Sequence, residues 1–273
     1  GDLLESIDGR VTTEMSLWEA ERLLWGKPGT TVTVRAIRAR RTEPVQMDLA
    51  REEIPPRPAT ARIVEDGIGL LKIPNLEEGA FESVQSKLKT MQSTGIQGLL
   101  VDLRGTATGT LEEATKVADL FLEKGKKIVT VKDREGKTTD FVSLNDRLVA
   151  NIPIAVMVDG GTSGAAEVLA AALQDHKVAS IIGERTNGRG SIQEPFTLGD
   201  GSVLLISTRL YYRSAGKPIQ EQNLRNSGIT PDVRSPDEDF VTNFYFDNMS
   251  DEPDQGFDEE FYRKLNSAVD AEQ

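Results

Sequence analysis

From residue 67 onward, short apolar runs alternate with stretches whose apolar residues recur every three or four positions, and this alternation limits the chain to few architectures. Ile68 to Ile73, Ile96 to Leu103, Ile128 to Val131, Ile154 to Val158 and Val178 to Ile182 read as strands. Helices are expected at 77–94, with Phe81, Val84, Leu88 and Met91 inward, at 110–123 and at about 163–176. Strands separated by helices of this length call for an α/β layer whose sheet is largely parallel. Two later runs, 192–198 and 203–210, read as a hairpin around Gly199-Asp200-Gly201.

The first 66 residues have a different rhythm. A strand from Leu3 to Ile7 runs into an Asp8-Gly9 turn, and Ser16 with Glu19 three positions on forms a capping box. The helix it starts carries Leu17, Ala20, Leu23 and Leu24 on one face and is expected to end at Gly26. Val32, Val34 and Ala36 then alternate as a strand. The stiff Pro55-Pro56-Arg57-Pro58 stretch marks a boundary, so 53–66 is expected to be a linker. The opening, residues 1–40, enters mid-pattern and reads as half of a module, as if what preceded Gly1 had been removed.

Composition removes whole classes of function. With no Cys among 273 residues, disulfides, thiolate zinc sites, iron–sulfur clusters and a Cys nucleophile are excluded. A single His, His176, excludes a multi-His metal site and argues against a Ser-His-Asp triad; at the end of its helix it is expected to be structural. No cofactor or metal is implied. A net charge of −12 argues against nucleic acid, and no apolar run has membrane-spanning length. Residues 236–273 alone carry −10, which reads as an acidic C-terminal tail with a terminal helix near 257–269.

Several segments, in this order, resemble the C-terminal processing (tail-specific) serine peptidases. GDLLESIDG to TVTVRAIR (1–38) is similar to the second half of their PDZ domain, and LLVDLR (99–104) to the strand before their oxyanion loop. GTSGAAEVLAAALQDH (161–176) resembles their nucleophile turn and helix, GERTNGRGSIQ (183–193) the segment with the catalytic lysine, and GITPDV (228–233) the closing strand. The resemblance implies a ClpP/crotonase-like mixed, largely parallel core at 67–235, preceded by the C-terminal part of a PDZ domain at 1–52. It also implies an extracytoplasmic setting (bacterial periplasm or cell envelope) and peptides or unstructured protein C-termini as partners.

The family's chemistry is a Ser-Lys dyad, in which a neutral lysine takes the serine proton and two backbone N–H groups hold the oxyanion. The nucleophile stands three residues before the helix Glu, here Glu167, which gives Gly164. The base stands 25 residues later, at Arg189, and the orienting glutamine four beyond, at Gln193. Glycine has nothing to attack with, and arginine, which keeps its charge in a folded protein, is no neutral base. The family's DLRxNPGG loop is here DLRGTATG (102–109), with Ala107 for Pro, Thr108 for the first Gly, and only Gly109 retained.

The resemblance thus implies a catalytically degenerate homologue that binds peptides or proteins, with Arg189 as a carboxylate clamp satisfied by a peptide C-terminus or an internal Glu or Asp. Two alternatives stay open. One is an active serine endopeptidase with Ser163 as displaced nucleophile, although Thr162 and Ser163 also read as N-caps. The other is a non-enzymatic assembly protein forming homo-oligomers through the truncated PDZ module.

Overall fold

The computed structural model describes residues 2–38, 43–64, 67–149, 151–199, 202–221 and 227–234. The acidic tail with its expected helix, and Asp200-Gly201 of the hairpin, lie outside the described residues. The chain divides into two compact units, one holding Gly1–Ile54 and the other Pro55–Asp237.

In the first unit β1 (Leu3–Ile7), β2 (Arg10–Val11), β3 (Thr31–Ile37) and β4 (Val45–Ala50) form an antiparallel sheet in the order β2-β1-β3-β4. Asp8 and Gly9 both take positive φ, as a tight hairpin with the right twist demands. Helix α1 (Leu17–Leu24) starts on the expected box: Ser16 Oγ accepts from Glu19 N at 3.2 Å, and Ser16 N donates to Glu19 Oε2 at 2.9 Å. Its end differs from expectation, because Gly26 is not the cap. Arg51 caps it from 27 residues away, donating to Leu24 O at 2.8 Å and Leu23 O at 2.7 Å. A Cβ at residue 26 would lie 2.7 Å from the Arg51 side chain, so the glycine makes room for that guanidinium. Ile7, Val32 and Val34 form this unit's small core.

The second unit is built on a six-stranded sheet. Strands β5 (Thr60–Ile63), β6 (Ile68–Lys72), β7 (Gly98–Asp102), β10 (Ile154–Val158), β11 (Ser180–Gly183) and β14 (Val233–Arg234) lie in the order β14-β11-β10-β7-β6-β5. All neighbours are parallel except β5, which runs antiparallel along β6. Residues 60–63 were expected within the linker. Instead they form an edge strand just after the prolines, where pairing on one side is enough.

A second, antiparallel sheet joins β8 (Lys127–Asp133), β9 (Thr138–Val142), β12 (Ser191–Thr197) and β13 (Val203–Arg213) in the order β12-β13-β8-β9. The strand expected at 128–131 therefore leaves the parallel layer. Its partner β9, absent from the sequence reading, is a polar outer strand whose residues 138–140 are exposed.

Helices α2 (Ala80–Ser93), α3 (Leu111–Asp119) and α4 (Ala165–Asp175) are shorter than expected but in place. Nine of the eleven residues of α4, Ala165 to Leu173, are buried. A helix apolar on every side is one enclosed by protein, and α4 is the spine of the core. Arg213 of β13 pairs with Asp175 at its end. Among the described residues no helix is long and apolar enough to cross a membrane.

Phe121 is fully buried in this core, whereas Phe196 is 45% exposed. Phe121→Ala is expected to cost about 3–5 kcal/mol, and Phe196→Ala no more than about 0.5 kcal/mol. Urea midpoints at unchanged m-value measure the contrast.

Candidate functional site

Parallel strands bring three loops to one edge of the sheet. Asp102 at the end of β7 pairs with Met157, and Val158 at the end of β10 pairs with Gly183 at the end of β11. The segments 103–110, 159–164 and 184–190 leave from these ends, where open α/β sheets place their ligands. Every site residue expected from sequence lies on one of them or, in the case of Gln193, on the strand that follows.

Gly164 takes φ 61° and ψ −114° immediately before α4. Non-glycine residues avoid this region, at a cost of order 1–3 kcal/mol. An added Cβ would meet nothing nearer than the Arg189 carbonyl oxygen at 4.0 Å, so the turn has room for a side chain. The same distance sets residue 189 against residue 164 across the cleft. The Arg189 side chain is exposed, and its Nη2 donates to Gln193 Oε1 at 3.1 Å. The internal carboxylate expected as an alternative partner for Arg189 is not found among the described residues.

Glu167 holds these parts together. Its side chain is fully buried on the first turn of α4. Oε2 accepts from Gly164 N at 2.9 Å; Oε1 accepts from Gly188 N at 2.7 Å and from the Thr186 hydroxyl. Thr186 Oγ1 in turn accepts from Ile229 N at 2.7 Å. Burial raises the Glu167 pKa above its ordinary 4.5, and the hydrogen bonds from Thr186, Gly188, Gly164 and Arg189 do not offset it. A second carboxylate, Asp159, repeats the device one loop away. Its Oδ1 accepts from Gly105 N at 2.9 Å, Gly161 N at 3.0 Å and Thr162 Oγ1 at 3.1 Å. Sequence reading used Glu167 only as a landmark and passed over Asp159. The available signal was an acid set in an apolar run, VMVDGG and GAAEVL.

The N-cap reading of Thr162 and Ser163 is corrected. The helix starts one residue later, capped by Gly164 with Glu167 reaching back to its amide. Thr162 Oγ1 instead bridges Leu103 O at 2.9 Å and Asp159 N at 3.1 Å. Ser163, 7% exposed, spends its amide on Thr106 O at 3.0 Å, and among the described residues its hydroxyl has no lysine or imidazole as hydrogen-bond partner. His176, at the far end of α4, lies 2.6 Å through Nε2 from Lys127 O, in the structural place expected of it.

Ala107, Thr108 and Gly109 are exposed on the first loop. Leu76 N donates to Thr108 O at 2.9 Å and Thr110 N to Leu76 O at 2.8 Å. Gly109, at φ 142°, approaches Leu76 so closely that a Cβ would lie 2.5 Å from its backbone, which explains why a glycine stands there. Beside this loop opens a cleft of about 270 Å³, walled by Leu111, Val131, Phe141 and Ile192, with Lys137 and Arg209 at its polar side. Among the described residues no group of His, Asp and Glu could hold a metal ion.

Residues 67–235 match the model of peptidase family S41. Over 237 residues the chain is 34% identical to a carboxy-terminal-processing protease of Bartonella bacilliformis, covering 85% of this chain and 53% of that protein. Over 245 residues it is 31% identical to the chloroplastic carboxyl-terminal-processing peptidase 2 of Arabidopsis thaliana, covering 86% and 46%. Among solved structures, a photosystem II D1 C-terminal processing protease is similar with a TM-score of 0.66 at 26% identity, covering 87% of this chain and 64% of that one. The chain spans about half the length of the curated relatives it matches.

Glu167 supplies a test that needs no substrate. Because its folded pKa is raised, its contribution to stability is complete below about pH 4.5 and is lost as pH rises through the higher folded value. Glu167→Gln is expected to lack this segment of the stability–pH curve. It is also expected to be less stable by about 1–3 kcal/mol at low pH, since one amide loses its acceptor. Urea midpoints measured from pH 4 upward in both proteins check this.

Proposed function

From the premise that this chain belongs to peptidase family S41, we propose that it is a member that binds peptides or protein C-termini without cutting them. The observation that carries the reading is the pairing at the cleft: a glycine in a strained turn, facing a segment that ends in an exposed guanidinium. The turn keeps a conformation that costs any side-chain-bearing residue, while the attacking atom is missing. At the base position a guanidinium, whose nitrogens are all hydrogen-bond donors, has no acceptor to take a proton. What it offers is a planar set of donors for a carboxylate, of which one is engaged, by Gln193, among the described residues.

A peptide ending at Arg189 would place neighbouring side chains near the 270 Å³ cleft beside Leu111 and Ile192. The amides of the Ala107–Gly109 loop would then serve as binding donors instead of an oxyanion hole. The four-stranded unit with α1 is the C-terminal part of a PDZ domain in this reading. The setting is extracytoplasmic, in line with relatives named as bacterial and chloroplastic processing proteases.

Fluorescence anisotropy with a labelled unstructured peptide tests the reading. The free-carboxylate form is expected to bind at least about tenfold tighter than the C-terminal amide, since a charged hydrogen-bonded pair is worth about 1.5–3 kcal/mol. Arg189→Met is expected to erase the difference, and mass spectrometry to find the peptide intact. Equal binding of acid and amide, or cleavage products, would overturn it.

A further inference from the structure

A second cavity, of about 210 Å³, lies at the opposite end of α4 from Gly164. The helix is eleven residues long, so about 16 Å of helix separates the two. Ile154 at the start of β10, Ile152 just before it, Val149 and Leu122 form an apolar wall, and Lys126, Arg147 and Lys177 contribute cations. Three positive side chains around one hollow run against a chain whose net charge is −12. Opposing them is Glu123, 4.0 Å from Arg147 with both side chains exposed, an ion pair worth about 0–1 kcal/mol. Lys126 and Lys177 meet no carboxylate among the described residues.

A purely structural reading covers part of this. Lys177 and His176 follow the last turn of α4, where positive charge complements the helix dipole. It does not reach Lys126, which precedes β8, or Arg147, which comes from the loop ahead of β10. The helix end is also already closed: Val178 N donates to Leu173 O and Lys177 N to Gln174 O, both at 2.9 Å. Lys177 itself takes φ 56° at a position where glycine is the usual occupant, and Asn151 on the same cavity takes φ 63°. Two of the three non-glycine residues with positive φ among the described residues therefore line this hollow.

We infer that this cavity is a binding site for a small, multiply charged oxyanion on an apolar body, the chemistry of an organic phosphate or a polycarboxylic acid. Arg147 supplies the planar donor pair, Lys126 and Lys177 point charges, and the Ile152–Ile154 wall takes the body. At 210 Å³ the hollow is smaller than the ~300–1,000 Å³ of drug-sized sites, which bounds the ligand's size. The site is independent of Arg189 and of peptide binding.

Isothermal titration calorimetry at constant ionic strength, with phenyl phosphate, phthalate and inorganic phosphate as probes, tests this. Saturable one-site binding of phenyl phosphate or of phthalate is expected, and whichever binds tighter identifies the source of the charge. Inorganic phosphate, which lacks the body, is expected to bind more weakly than phenyl phosphate. The R147E/K177E variant is expected to lose at least about tenfold in affinity. Lys126→Gln, a milder change at an exposed position, is expected to lose about threefold, and Lys89→Glu, on α2 and outside the cavity's lining, to lose nothing. No saturable heat from any probe, or unchanged affinity in the charge-reversed variant with its circular dichroism intact, would overturn the inference.

Discussion

The buried carboxylate of Glu167 is the interaction on which the cleft depends. One ionisable group at the start of α4 accepts hydrogen bonds from the turn before the helix, through Gly164 N, and from the loop after β11, through Gly188 N and the Thr186 hydroxyl. The two loops are distant in sequence and neither is regular, so their backbone donors need an acceptor from outside. Burying a charge to supply one is expensive, and the raised pKa of Glu167 reflects that expense. Asp159 does the same for Gly105 and Gly161, so two acids set the site's shape.

This arrangement separates shape from reactivity. The parallel register that ends β7, β10 and β11 at one edge fixes where the loops start, and the two carboxylates fix how they fold. None of these elements needs a hydroxyl at 164 or an amine at 189. The turn at Gly164 holds φ 61° with open space where a side chain would stand. On the proposed reading, such a scaffold without reactive groups would still present donors, a groove and a cation, which are the requirements for binding.

Much of this was legible in the sequence, and the exceptions share a cause. β10 appears with the bounds read from its apolar run, and the Ser16–Glu19 box forms as its local spacing dictates. Signals confined to a few neighbouring residues carried through. Arg51 capping α1 from 27 residues away, β5 adding itself beside a proline stretch, and polar β9 covering β8 depend on partners that no local window contains. At the site, the resemblance to the processing peptidases singled out Gly164, Arg189 and Gln193, and the structure brings the first two together and bonds the last two. The roles of Glu167, Asp159 and Thr186 follow from burial and from bonds spanning 19 to 54 residues, which spacing does not reveal.

The cleft, as proposed, is an intact scaffold missing one attacking atom and one proton acceptor. Returning both in the Gly164→Ser, Arg189→Lys double variant, and following an unstructured polypeptide by mass spectrometry beside the wild type, tests that claim most directly. The wild type should leave the polypeptide whole and the double variant should cut it. A double variant as inert as its parent, or wild-type cleavage that Ser163→Ala abolishes, would contradict it.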